Sequence, residues 1–289
     1  MKIKNKKFYK QYMIIYKIEK TYNAQIIKRP SKICKTPYVA DIIIENKNKE
    51  DKTEYLAHTA ALGCCGMVDK DKSVIVTESV NKTNKCKYKI LLAKVNEKNN
   101  INVIGVDPKI AEYLVETCLK NNLLSTLVGV RFIREKTIMN SRFDFVGFDK
   151  NGILFIMEVK NVPLADYVDC YKKDRKHMNF DDKDVNSKIA YFPDGYRKNQ
   201  KDTVSPRALK HITELTKIKM KNKNKVRTIM CYVIQREDAS SFQPSNVDPI
   251  YKEAFNKALF NGVEIITLQI GWSVDGCAKF IRDDLPINM

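Results

Sequence analysis

The chain has 289 residues, and its 52 Lys+Arg against 34 Asp+Glu give a formal net charge of +18. With 44% hydrophobic and 30% charged residues it can bury a core, which excludes a disordered polyelectrolyte. No apolar run approaches the roughly 20 residues of a membrane span, and the Lys-rich start lacks the apolar stretch of a secretory signal, so a cytoplasmic protein is expected.

Residues 1–22 carry seven Lys and one Glu among aromatic and branched residues, and read as a basic extension or an added strand. From 23 to 100 the pattern is short β-rich runs, at Tyr38–Ile44, Glu54–His58, Ser73–Thr77 and Tyr88–Leu92, separated by polar turns. Several such strands at close spacing predict a small barrel or sandwich, with Glu97–Asn100 as its boundary.

Residues 101–289 then alternate helix and strand. Asp107-Pro108, Ser205-Pro206 and Asp248-Pro249 each read as an N-cap followed by a first-turn proline. Strands are expected near Val130–Lys136, Arg142–Phe148, Ile153–Val159, Val226–Ile234 and Val263–Ile270. The six basic and four acidic residues of 171–188 predict a polar surface insertion. The fold class is α/β (α+β): a β domain followed by a mixed sheet flanked by helices.

The eight cysteines form no Cys-x-x-Cys pair, and three histidines complete no zinc template, so reduced thiols and no zinc are expected. The positive surplus favours a polyanion; codon bias towards Lys and Asn is the competing explanation, and the charge alone does not decide between them.

The chemistry concentrates in Ser141-Arg-Phe-Asp144-Phe and Ile153-Leu-Phe-Ile-Met-Glu158-Val-Lys160. If Lys150-Asn151-Gly152 is a three-residue hairpin loop, counting inward sets Asp144 opposite Glu158. Strand alternation puts Lys160 on the face of Glu158. Paired carboxylates bind Mg²⁺ or Mn²⁺, and a neighbouring amine can orient a water or stabilise transition-state charge. An exposed Glu–Lys pair on a strand is the bland alternative. On the following helix Arg207, Lys210, His211 and Glu214 share a face, with Arg207 and Lys210 expected to meet phosphates. His211 is equally placed to hydrogen-bond Glu214 or a carbonyl, and Trp272 is most simply packing.

This order of motifs resembles the PD-(D/E)xK nuclease superfamily and, more closely, the sugar fermentation stimulation protein (SfsA) family. The resemblance runs through Glu158-Val-Lys-Asn-Val162, Phe192-Pro-Asp194, Arg207-x-x-Lys210-His211-x-x-Glu214 and Gln235-Arg-Glu-Asp238. It implies an OB-like N-terminal barrel, a restriction-endonuclease-like domain, DNA as partner with RNA open, and nuclease activity by inference. Asp144, Glu158 and Lys160 would be catalytic, with Asp144, Glu158 and the Val159 carbonyl holding the metal. Arg142 joins Arg207 and Lys210 as an expected nucleic-acid contact. Glu112, Glu116, Asp194, His211 and Gln235 are accessory candidates. A non-catalytic regulator of sugar (maltose) metabolism genes that keeps the fold is the alternative. The family pattern His-x-Pro-Asn-x-Gly-Arg appears as His58-Thr-Ala-Ala-Leu-Gly63-Cys64, and Glu112 replaces a usual Asn.

Overall fold

The structure, a computed structural model, describes residues 13–45, 53–60, 64–81, 83–193 and 202–289. Strand β1 (Ile14–Lys17) precedes β2 (Tyr22–Lys28), β3 (Val39–Ile44), β4 (Glu54–His58), β5 (Ser73–Glu78), β6 (Tyr88–Glu97) and β7 (Asn100–Gly105). Strands β2 to β6 form a ring, closed where β4 meets β6 in parallel at Ala57↔Tyr88 and His58↔Lys89, and β7 extends it. Closure leaves the five ring strands without open edges, as in an OB-like barrel. Its interior is filled by small and branched side chains, including Ala24, Ile26, Ile42, Val74 and Ile90.

The polar stretch Glu97–Asn100 is a hairpin turn. Lys98 and Asn99 both have positive φ (47° and 65°), and Glu97 pairs with Asn100. Two left-handed residues match the twist of the flanking strands, so β6 turns directly into β7 and the sheet continues to Gly105.

Helix α1 (Pro108–Lys120) follows, capped by the Asp107 carboxylate, which accepts from Lys109 N at 2.8 Å. Then come β8 (Arg131–Ile138), β9 (Ser141–Phe148), β10 (Leu154–Val162), β11 (Ala165–Asp166), the single turn α2 (Lys172–Arg175) and β12 (Lys188–Phe192). Helix α3 (Pro206–Asn222), β13 (Val226–Ile234), β14 (Ala239–Pro244), α4 (Pro249–Phe260), β15 (Glu264–Trp272) and β16 (Cys277–Arg282) complete the chain. Ser205 and Asp248 cap α3 and α4 with their side chains.

A seven-stranded sheet runs β1-β16-β15-β13-β10-β9-β8, with β10, β13 and β15 parallel at its centre. Those strands are covered on both faces, which explains the unbroken apolar run Ile229–Ile234. On one face Leu114, Val115 and Cys118 of α1 pack on Phe155, Met157 and Cys231. On the other, Ile212 and Leu215 of α3 and Phe255 of α4 pack on Ile156, Met230 and Tyr232. Strand β1 lies at the sheet's edge beside β16. A small sheet, β11-β12-β14, sits beside the main one.

The 171–188 insertion docks on the β6–β7 turn. Lys98 Nζ donates to the carbonyls of Phe180 (3.1 Å), Asp181 (2.6 Å) and Lys183 (2.6 Å), and the Tyr167 ring stacks on Phe180 at 5.2 Å. The same flank holds a buried ion network. Asp238, fully buried, accepts from Arg236, from Lys188 at 2.7 Å and from Asn102 of β7 at 3.1 Å. Lys188 also pairs with Glu97 of β6. Burial pushes the Asp238 carboxyl up, but the two cations outweigh it and hold the group below its usual range. The barrel is thereby tied to the second sheet by charge as well as by chain.

Candidate functional site

The site begins with a turn. Gly152 has φ +75°, a conformation glycine adopts without the usual Cβ clash, and its N–H donates to Asp149 O at 2.9 Å. The hairpin then pairs Phe148 with Leu154, Gly147 with Phe155, Val146 with Ile156 and Phe145 with Met157. Continuing that register brings Asp144 opposite Glu158, and Asp144 Oδ2 accepts from Val159 N at 2.7 Å.

Glu158 is 3% exposed. Its Oε1 takes two contacts, from Lys160 Nζ and from Nδ1 of His211, the nitrogen that must therefore carry the proton. Its Oε2 is buried with no hydrogen-bond partner among the described residues. The two carboxylates are driven apart in acidity. Burial and then the Glu158 charge push Asp144 up to about 7, against the Val159 N–H and Lys160. Burial also pushes Glu158 up, but Lys160 and His211 outweigh it and hold Glu158 below its usual range. Below about pH 7 the proton stays on Asp144, while Glu158 is ionised.

Asp144, Glu158, Val159, Lys160 and Asn161 line one cleft of about 350 Å³. Its other walls are Pro108 and Glu112 of α1, Phe192 of β12, and Ser205, Arg207 and Ala208 at the start of α3. The oxygens it offers a cation are those of Asp144, Glu158 and Glu112 with the strand carbonyls. Among the described residues no three His, Cys, Asp or Glu side chains converge as a metal-binding group. Cys34, Cys86, Cys118, Cys170, Cys231 and Cys277 are free thiols.

The remaining candidates divide. Arg207 is exposed, lines the cleft, and has no carboxylate partner among the described residues. Lys210 does not line it: its Nζ donates to the Asn140 carbonyl in the β8–β9 turn, 4.0 Å from Glu214. Arg142 is exposed on β9, 3.4 Å from Glu135. Glu112 lines the cleft and pairs with Arg134 Nη2 at 2.9 Å, whereas Glu116 pairs with Arg134 Nη1 at 2.6 Å and with Lys120 at 2.7 Å. Burial raises the Glu112 carboxyl against that pairing. His211 faces Glu158 and not Glu214. Gln235 is fully buried and hydrogen-bonds Asn161 and Trp272, so Trp272 does more than pack. Asp194 lies outside the described residues, as do residues 61–63 of the altered barrel motif.

Sequence reasoning missed Arg134, whose guanidinium clamps two α1 carboxylates while lying 4.9 Å from the Tyr113 ring and 5.6 Å from that of Phe145. A strand arginine reaching back 18 and 22 residues to two carboxylates of the preceding helix carries no local signal. Asn161 was missed as well, though it sits inside the Glu158–Val162 run.

The model of the sugar fermentation stimulation protein RE domain matches residues 109–276. The sugar fermentation stimulation protein homolog of Clostridium novyi is 29% identical over 252 residues, covering 86% of this chain and 90% of that protein. That of Clostridium tetani is 30% identical over 249 residues, covering 85% and 88%. The solved structure of Pyrococcus furiosus SfsA in complex with Ca²⁺ superposes with a TM-score of 0.73 at 20% identity, covering 96% of this chain and all of that one. The shared fold is the OB-like barrel followed by a mixed sheet flanked by helices. With a family model spanning more than half its length and a relative at 30% identity across most of it, the chain belongs to the sugar fermentation stimulation protein (SfsA) family.

Proposed function

We propose that this protein binds DNA along the cleft and hydrolyses phosphodiesters there with a divalent ion, Mg²⁺ or Mn²⁺. The observation that carries the reading is Glu158 Oε2, a buried carboxylate oxygen without a partner among the described residues, in the cleft that Asp144 lines. A bare buried oxygen is costly, and a hard cation is the ligand it suits. Asp144, Glu158 and the Val159 carbonyl would hold that ion. The Ca²⁺ complex of the Pyrococcus furiosus relative supports an ion of this class. When bound, the ion supplies Lewis-acid stabilisation of the extra phosphate charge and lowers the pKa of water.

The residues of the chain do the rest. Lys160, held on Glu158 Oε1, stands where an amine can orient the attacking water or meet developing negative charge. His211 fixes the same oxygen from α3, which leaves Oε2 directed to the ion. Arg207, with no carboxylate partner among the described residues, stands at the N-terminal turn of α3 and meets a flanking phosphate. Asp144 must give up its proton before the ion binds.

Incubation of purified protein with single- and double-stranded DNA and with RNA, in Mg²⁺, Mn²⁺ or EDTA, tests this. Metal-dependent cleavage lost in Glu158→Ala and Lys160→Ala is expected. Binding without cleavage in either metal would instead support a non-catalytic DNA-binding regulator.

A second measurement addresses the phosphate contacts. Each phosphate neutralised on a duplex contributes about −0.9 to the slope of log K against log salt. Arg207→Ala is expected to flatten that slope by about one, and Lys210→Ala by less, because Lys210 already serves the Asn140 carbonyl. An unchanged slope for Arg207→Ala would place α3 away from the nucleic acid.

A further inference from the structure

A chain of three side chains behind the cleft fixes the polarity of one of its walls. Trp272 Nε1–H is a donor only, and it donates to Gln235 Oε1 at 2.9 Å. The Asp107 carbonyl is an acceptor only, and it lies 3.5 Å from Gln235 Nε2. Both neighbours agree on which end of the amide is which, so Gln235 cannot be turned over. Its Nε2 therefore donates to Asn161, and the Asn161 atom it reaches at 2.8 Å must be Oδ1. Asn161 is left with its Nδ2, two N–H donors that have no partner among the described residues and are not sealed from solvent. The clamp is tight: Gln235 is fully buried, its carbonyl accepts from Gly105 N at 3.0 Å, and a Cβ on Gly105 would stand 2.1 Å from Gln235 Oε1.

We infer that Asn161 is a substrate-binding residue: its Nδ2 donates to a phosphate oxygen of the strand in the cleft, with Gln235 and Trp272 as positioning residues that hold it in donor orientation. The cleft already presents the carboxylates of Glu112, Asp144 and Glu158. A polyanion entering it needs donors on the wall, and a neutral amide supplies them without displacing a cation from the carboxylates. An asparagine turned the other way would present Oδ1 and repel the phosphate. This inference rests on the DNA reading above and adds the residue and the atom.

The test titrates a fluorescently labelled DNA duplex with the parent, Asn161→Ala, Asn161→Asp, Trp272→Phe, Trp272→Phe/Asn161→Ala and Arg207→Ala, in Ca²⁺. A hydrogen bond to a charged group is worth enough that Asn161→Ala should bind about tenfold more weakly, and Asn161→Asp, which puts an oxygen in the donor's place, more weakly still. Trp272→Phe keeps the buried ring and removes its donor. It should weaken binding in the parent but add nothing in the Asn161→Ala background, a coupling that a merely structural role would not give. If the parent binds and Arg207→Ala weakens it, while both Asn161 variants stay within about twofold of the parent, the Asn161 inference falls and the DNA reading stands. If Trp272→Phe weakens both backgrounds equally, the positioning chain falls. If the parent does not bind the duplex, the DNA reading falls and this inference with it. Should a variant fail to fold, the side-chain amide resonances of the ¹⁵N-labelled parent decide. Asn161 Nδ2 protons shifting on DNA addition, beside Gln235 Nε2 protons protected from exchange, support the inference; an unmoved Asn161 signal in a saturated complex overturns it.

Discussion

Without divalent ions, the protein is expected to lose stability as pH rises from about 4 to 7, and a divalent ion should restore it increasingly across the same window. The unfolded Asp144 carboxyl titrates near 3.8, and the folded one near 7. Below the lower value both states hold the proton and the contribution is fully present. Between the two values the unfolded chain releases its proton and the native state does not, so the native state loses ground until the folded group ionises. The whole swing is roughly 4 kcal/mol from one carboxyl. Glu158, whose pKa is lowered from 4.5, acts in the opposite sense, gaining stability up to that value, so it opposes the fall only at the lower edge of this window. A cation competes with the Asp144 proton, so its affinity should rise with pH up to about 7 and then level off. At a concentration about a hundredfold above its dissociation constant it would add about 2.7 kcal/mol. Asp144→Asn should flatten the metal-free pH profile and remove most of the ion's effect; Glu158→Gln should also remove the latter. Melting curves from pH 4 to 8, with and without Mg²⁺ or Mn²⁺, measure both. A profile that is the same in parent and Asp144→Asn would refute the assignment of the shared proton.

Asp238→Ala should destabilise the protein by about 3–5 kcal/mol, because it strips the shared counter-charge from two buried cations. The Lys188 and Arg236 side chains are only 6% and 4% exposed, so water cannot replace the lost carboxylate. The contrast is Arg282 with Asp284, a pair 43% and 71% exposed, where Asp284→Ala should cost less than about 1 kcal/mol. Urea unfolding of the two variants beside the parent makes the comparison. A loss under about 1 kcal/mol for Asp238→Ala would mean that the network relaxes to let solvent in.

Local chemistry was the legible part of this chain. Asp107, Ser205 and Asp248 start their helices in the structure because a cap needs only its own next three residues. The β9–β10 register follows from a loop length and a glycine, and it carries Asp144 to Glu158. Contacts between distant elements were not legible. Helical spacing put His211 and Glu214 on one face of α3, but the element that His211 meets is β10, and only the packed sheet brings Glu158 there. The same holds for Trp272 reaching Gln235, 37 residues before it in the chain. Glu97–Asn100 looks like a linker because its polarity is that of a linker; left-handed backbone at a lysine and an asparagine has weak sequence marking. The strands of the small sheet, β11, β12 and β14, are short or polar, and they pair only once the insertion before β12 has been placed.

Strand β1 imposes an order on assembly. Tyr16 pairs with Ala278 and Lys17 with Cys277, so the first described strand of the chain finds its partner only after the last long strand has been made. The barrel strands between pair mostly with near neighbours in the chain, contacts whose loops cost little entropy to close and which form early during synthesis. The barrel strands can pair without waiting for β16, whereas the seven-stranded sheet can gain its β1 edge only once residues 277–279 have been made.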